Sequence, residues 1–161
     1  MTKLGKPRLK RMRRVGSDLS LTSGIRSLDT KCKINTRPGV HGAKRTRLSD
    51  YAINLRSKQY VRFTYRLLDK QLKRYHLEAV RQRKQDKDAD YRLFMLLESR
   101  LDVAVWRMGF ATTLAGARQL VVHRKIYVND RLQSKPRFEV QAGAVIEARA
   151  KGDSQKNLIQ A

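Results

Sequence analysis

"ESRLDVAVWRMGFATTLAGARQLVVHRKIYVND" (residues 98–130) changes its apolar period partway along, and that change sets the fold class. Leu93, Leu97, Leu101, Val105 and Met108 recur at three- and four-residue spacing, one stripe of a single helix. Gly109 follows as a helix-ending glycine. "FATT" turns the chain, and Thr113 stands as N-cap of a second helix with Leu114, Ala117, Leu120 and Val121 facing inward. Gly116 inside that helix costs about 1 kcal/mol against alanine, which marks either close packing or close approach of a ligand. "KIYVND" (125–130) then alternates as a strand, with Ile126 and Val128 on one face and Asn129-Asp130 as a hairpin turn. "RLQS" and "RFEV" are short extended pieces, and "AGAVIEAR" (142–149) closes as a strand led in by Gly143. Residues 91–150 thus read as a compact α+β module, two helices packed on a short antiparallel sheet. The end of the second helix falls at its surface, where His123, Arg124 and Lys125 stand together with Arg118 one to two turns back.

Those cations belong to a larger imbalance. The 161 residues hold 37 Lys and Arg against 14 Asp and Glu, a net charge of +23 and a pI near 11.0. Like charges repel in a compact state, so folding gains nothing from the excess. A polyanion does explain it, and nucleic acid leads, because each neutralised phosphate releases counterions. The excess is front-loaded: residues 1–50 carry net +11, residues 51–92 net +7 and residues 93–161 net +5. No apolar run is long enough to span a bilayer, and no membrane partner is expected. One cysteine, Cys32, allows no intrachain disulfide and no cysteine zinc site, so no metal and no cofactor are expected.

Upstream, residues 1–48 read as a basic arm and loop. The first fifteen residues contain seven Lys or Arg and no continuous apolar face. "LTSGIRSLDTKC" (21–32) holds a short helix that stops near Gly24 or starts after Ser27, and "RPGVHGAK" (37–44) is a turn-rich break. Residues 49–90 form the helical part of a first domain and its linker. Ser49 and Asp50 are good N-caps, and no proline or glycine interrupts Tyr51 to Arg83. Leu55, Tyr60, Phe63, Leu67, Leu68, Leu72, Tyr75 and Ala79 recur at helical spacing, as one long helix or as two with a break near Gln59. "QRKQDKDAD" (82–90) is the expected domain boundary, and residues 151–161 are a polar tail.

The Arg-Leu-Asp helix, Met-Gly-Phe turn, Ala-Arg-Gln-Leu helix and strand ending in Val-Asn resemble the small RNA-binding module named after ribosomal protein S4. "RRVGSDLSLTSGIRSLDTKCKINTRPGVHGAKRTRLSDYAINLRSKQYVRFTYRLLDKQLKRY" (13–75) is similar to the bacterial small-subunit S4 family itself, in its cysteine-poor form. Members run on past the counterpart of Ala161 and return a helix and a strand to the first domain, so a shortened form is expected. The resemblance implies a structural constituent of the small ribosomal subunit. Such a protein binds 16S-type rRNA early, nucleates assembly of the 5′ domain, and borders protein S5 and the mRNA channel entrance. It implies residence in the ribosome, cytoplasmic or else mitochondrial or plastid. The rivals are a stand-alone ribosome-associated or stress factor carrying the module, and an RNA-modifying enzyme. The first would lack the "LRSKQYVRFTYRLLDKQ" helix. The second needs a catalytic constellation, and Asp29, Asp50 and Asp102 stand isolated. Asp102 reads instead as a structural partner for a nearby arginine or as a helix-facing hydrogen-bond acceptor. No enzyme and no small-molecule substrate are expected.

Recognition of folded RNA works through backbone shape and phosphates, because the A-form major groove hides the base edges. In the first domain the expected contacts are Lys3, Lys6, Arg8, Lys10, Arg11, Arg13, Arg14, Lys44, Arg45, Arg47, Tyr51, Arg56, Lys58, Gln59, Arg62, Tyr65 and Arg66. In the module they are Thr112, Thr113, Arg118, Gln119, His123, Arg124, Lys125 and Asn129.

Overall fold

The structure is a computed structural model and describes residues 7–44, 47–81 and 89–149. The chain divides into two compact units between Leu72 and Lys73. The boundary expected at 82–90 and the tail at 151–161 lie largely or wholly outside the described residues.

The first unit opens with a helix where a loose arm was expected. Helix α1 spans Arg8–Val15 and ends at Gly16, whose φ of 83° is the left-handed C-cap conformation. Leu9, Met12 and Val15 give it a narrow apolar stripe, and Met12 is fully buried against Leu19, Leu21 and Phe63. Three apolar residues therefore suffice to hold a helix whose other positions are all basic. A short helix, α2, covers Leu28–Lys31, starting after Ser27. Helix α3 runs Asp50–Thr64, capped by the Ser49 hydroxyl, which accepts from the Ala52 N–H at 3.3 Å.

α3 passes unbroken through Gln59 to Thr64, with Tyr65 as its C-cap and Arg66 beyond it. The Arg66 N–H donates to the Phe63 carbonyl at 3.2 Å and the Leu67 N–H to that of Arg62 at 2.9 Å. That pair of bonds is a Schellman motif, with Arg66 in the left-handed position at φ 49°. Helix α4, Asp69–Arg81, starts at once, with the Gln71 side chain accepting from the Leu68 N–H at 3.2 Å as in a capping box. The unit division falls within α4.

In the second unit the expected single helix under Leu93, Leu97, Leu101, Val105 and Met108 is two: α5, Ala89–Glu98, and α6, Leu101–Arg107. Arg100 between them is extended at φ −68°, ψ 137°. The break is satisfied from far along the chain. The Leu101 N–H donates to the Phe138 carbonyl at 2.8 Å, the Asp102 N–H to that of Pro136 at 3.2 Å, and the Val140 N–H to that of Ser99 at 2.7 Å. Amides that a continuous helix would bond internally are thereby paired across the fold. Met108, at the far end, is exposed.

Helix α7, Leu114–Val122, is capped as expected, the Thr113 hydroxyl accepting from the Gly116 N–H at 3.2 Å. A Cβ on Gly116 would lie 3.3 Å from the Ala111 Cβ, so this glycine serves close packing. Strands β1 (Ile126–Val128), β2 (Arg131–Leu132) and β3 (Ile146–Ala148) form an antiparallel sheet in the order β2-β1-β3. Asn129 and Asp130 both have positive φ, 48° and 62°, which is the type I′ geometry that matches strand twist. Leu101, Val105, Ala117, Val121, Ile126 and Val128 form the core between α6, α7 and β1, and Leu120, Phe138, Val140 and Ile146 pack against it. The second unit thus contains the α+β module read from the sequence, and the first unit is mainly helical.

Candidate nucleic-acid interface

Cationic side chains of the first unit divide into those that hold the fold and those that face out. Arg11 and Tyr65, both expected at RNA, are buried, at 9% and 6% exposure. The Arg11 guanidinium lies 5.4 Å from the centroid of the Phe63 ring, with Arg62 on the same ring at 4.9 Å. Burial lowers the Arg11 pKa from its ordinary value, and the positive charge of Arg62 lowers it further. Arg13 reaches back from α1 to donate to the carbonyls of Thr36 at 2.9 Å and Arg37 at 3.3 Å. Lys58 and Arg62 approach Asp69 at 3.2 and 3.7 Å. Arg66 is half-buried at the end of α3. Lys3, Lys6 and Arg45 lie outside the described residues.

The outward set meets at a cleft of about 540 Å³. Arg14 comes from α1, Arg37 and Pro38 from the loop that Arg13 pins, and Arg47 and Leu48 from the segment entering α3. Ser49, Ala52, Leu55, Arg56 and Gln59 complete it from the first turns of α3. Ala52, Arg56 and Gln59 are spaced four and three apart, so helical periodicity puts them on one face. None of the described residues lining the cleft is acidic. Arg37 was not among the expected contacts, because "RPGVHGAK" reads from sequence only as a turn. A Cβ on Gly42 would overlap the Arg37 carbonyl, so the loop closes this tightly only around glycine. Arg8, Lys10, Lys44 and Tyr51 are exposed, Tyr51 at 75%.

The second unit presents the corner after α7. The His123, Arg124 and Gln119 side chains are exposed there, and Lys125 is half-buried. Arg124 takes φ 58°, its N–H bonded to the Val121 carbonyl at 3.0 Å, while the Lys125 N–H bonds that of Leu120 at 3.1 Å. This repeats the Schellman end of α3, again with arginine where glycine is favoured. Thr112 is exposed, whereas the Thr113 hydroxyl is committed to the cap. Asn129 is committed too, its side-chain oxygen accepting from the Val145 N–H at 2.8 Å.

Behind the corner, Asp102 does what the sequence suggested. It is 1% exposed and accepts from the buried Arg100 at 2.6 Å, with the half-exposed Arg118 3.6 Å away. Burial raises its carboxyl above the ordinary 3.8; the attraction and hydrogen bond of Arg100, then the charge of Arg118, oppose that rise without cancelling it.

Residues 3–98 match the family described as the ribosomal protein S4/S9 N-terminal domain, and residues 99–146 match the S4 domain. The junction of the two matches, Glu98/Ser99, is the place where α5 gives way to α6. The chain is 51% identical over 152 residues to the small ribosomal subunit protein uS4 of Francisella tularensis subsp. novicida (strain U112), an alignment spanning 94% of this chain and 72% of that relative. With a pinned arginine cleft in one unit, a cationic corner in the other, and two family matches that adjoin at Glu98/Ser99 and together span residues 3–146, the chain belongs to the bacterial-type uS4 family of small-subunit ribosomal proteins.

Proposed function

We propose that the chain is a structural constituent of the small ribosomal subunit and a primary binder of its 16S-type rRNA, with no catalytic step of its own. The observation that carries this reading is the arginine-lined cleft, four arginines in a lining without an acidic residue among its described residues. Guanidinium forks suit phosphate geometry, and a rigid frame holds them: α1 through Met12, the loop through Arg13, α3 through Ser49. The corner of the second unit supplies a second surface, so two phosphate-rich elements of a folded RNA junction are engaged by one chain. Junction binding of this kind nucleates the 5′ domain, and the family resemblance extends the neighbours to protein S5 and to mRNA at the channel entrance. The setting is the bacterial ribosome and hence the cytoplasm.

Titration of the chain with a 5′-domain fragment of bacterial small-subunit rRNA tests the proposal. For six to ten phosphate contacts, affinity should fall on the order of 10³-fold or more between 50 and 200 mM salt, a scale taken from DNA. A flat salt response, or equal affinity for an unrelated duplex, refutes it.

A further inference from the structure

The cleft of the first unit has a shape that phosphate binding alone does not use. A run of surface arginines is enough to follow an RNA backbone, but here Arg14, Arg37, Arg47 and Arg56 surround a concavity of about 540 Å³. That volume lies within the range of small-molecule sites, roughly 300–1,000 Å³. An A-form duplex is a rod of stacked pairs and can only touch the rim of such a space. A single splayed nucleotide can enter it. The wall contributed by α3 is chemically mixed in the way a nucleobase requires: Ala52 and Leu55 are apolar, and Gln59 is a residue whose side-chain amide carries both donors and an acceptor. Unpaired bases in RNA–protein complexes stack on guanidinium planes and bond through their exposed edges.

We propose that this cleft receives one unpaired nucleotide of the bound RNA, with its phosphate on the arginines and its base within the concavity. The inference rests on the rRNA-binding reading and deepens it. It assigns the first unit to a junction carrying an extruded nucleotide, where a continuous helix would leave the cleft empty.

The test separates shape from charge. Ala52→Met fills the cleft and leaves the net charge unchanged, and methionine is at home in a helix. The probes are a twelve-base-pair RNA duplex, the same duplex with one bulged 4-thiouridine, and the 5′-domain rRNA fragment. In the 161-residue chain, Ala52→Met should weaken binding of the bulged duplex at least tenfold and leave the plain duplex within about twofold. Photocrosslinking of the wild-type chain needs no variant to fold: the bulged 4-thiouridine should attach to the peptide 47–59. Equal effects of Ala52→Met on both duplexes, or crosslinks confined to the second unit, overturn the inference. Competition by a free nucleoside monophosphate at equal concentration with the bulged duplex also overturns it, because the cleft would then serve free nucleotides. If the wild-type chain binds the rRNA fragment with a steep salt response and Ala52→Met does not alter any probe, the nucleotide inference alone falls. A flat salt response of the wild type removes the rRNA reading itself.

Discussion

Arg11 in the first unit and Arg100 in the second are both buried, at 9% and 2% exposure, and they are held by different chemistry. Arg11 lies over the Phe63 ring, with Arg62 on the same ring. Arg100 donates to a carboxylate, Asp102, that is as buried as itself. The difference shows two ways in which a chain of net charge +23 brings cations inside. An aromatic face tolerates an arginine whose long stem does most of the packing. A carboxylate binds it, but then neither partner can be lost without stranding the other in a low-dielectric interior.

The largest expected effect follows from that asymmetry. Asp102→Ala should cost about 3–5 kcal/mol in urea unfolding, because Arg100 is left buried without its carboxylate. A loss below about 1 kcal/mol would break the comparison by showing that water reaches Arg100. The same carboxyl sharpens it through pH. Its pKa is raised in the folded chain by burial, so the native state holds this proton more tightly than the unfolded state. Stability from this group is therefore fully present below the ordinary 3.8 and is lost as pH rises through the folded value. Unfolding free energies of the wild type minus those of Asp102→Asn, followed upward from acid pH, should fall in that window. A difference that rises instead would mean that Arg100 and Arg118 outweigh burial.

An intermediate effect is expected at the helix ends. Arg124 occupies a left-handed position at φ 58° that glycine adopts without strain. Arg124→Gly should raise stability by about 1 kcal/mol in thermal melts and weaken rRNA binding. Gains in both would show that the corner does not face RNA. The smallest effect belongs to Arg11→Met, expected to change stability by less than about 1 kcal/mol, because burial and the charge of Arg62 already disfavour the charged guanidinium. A loss above about 3 kcal/mol would place Arg11 beside Arg100 as a pair-dependent cation.

The same contrast explains what the amino-acid sequence made legible. Thr113, Ser49 and the Ile126/Val128 alternation act over a few residues, and each element they announce is present. α6 ends at Gly109, in the same Schellman geometry as the other two ends, and its signal was readable because the left-handed residue is glycine. The ends at Arg66 and Arg124 carry no such signal. The break at Arg100 was hidden for a further reason: an apolar residue every four positions continues straight across it, and the carbonyls that satisfy the broken turn belong to Pro136 and Phe138. α1 was missed because one apolar residue per turn looks like an arm until Leu19, Leu21 and Phe63 are beside it. The cleft was half legible. Arg14, Arg47, Arg56 and Gln59 were named, and Arg37 was not, since its placement depends on Gly42 and on Arg13.

The borrowed acceptors at the start of α6 also impose an order in time. Synthesis runs at about 5–20 residues per second, so Leu101 leaves the ribosome roughly two to seven seconds before Phe138. During that interval the amides of Leu101 and Asp102 have no carbonyls from Pro136 and Phe138 to meet, and the uninterrupted four-residue stripe favours one helix through Ser99 and Arg100. The native kink is then a late event, made when the chain around Pro136 arrives and takes those amides over. A chain ended at Lys135 should accordingly show more helix per residue by circular dichroism than the same segment in the finished protein, and equal helicity would put the kink first.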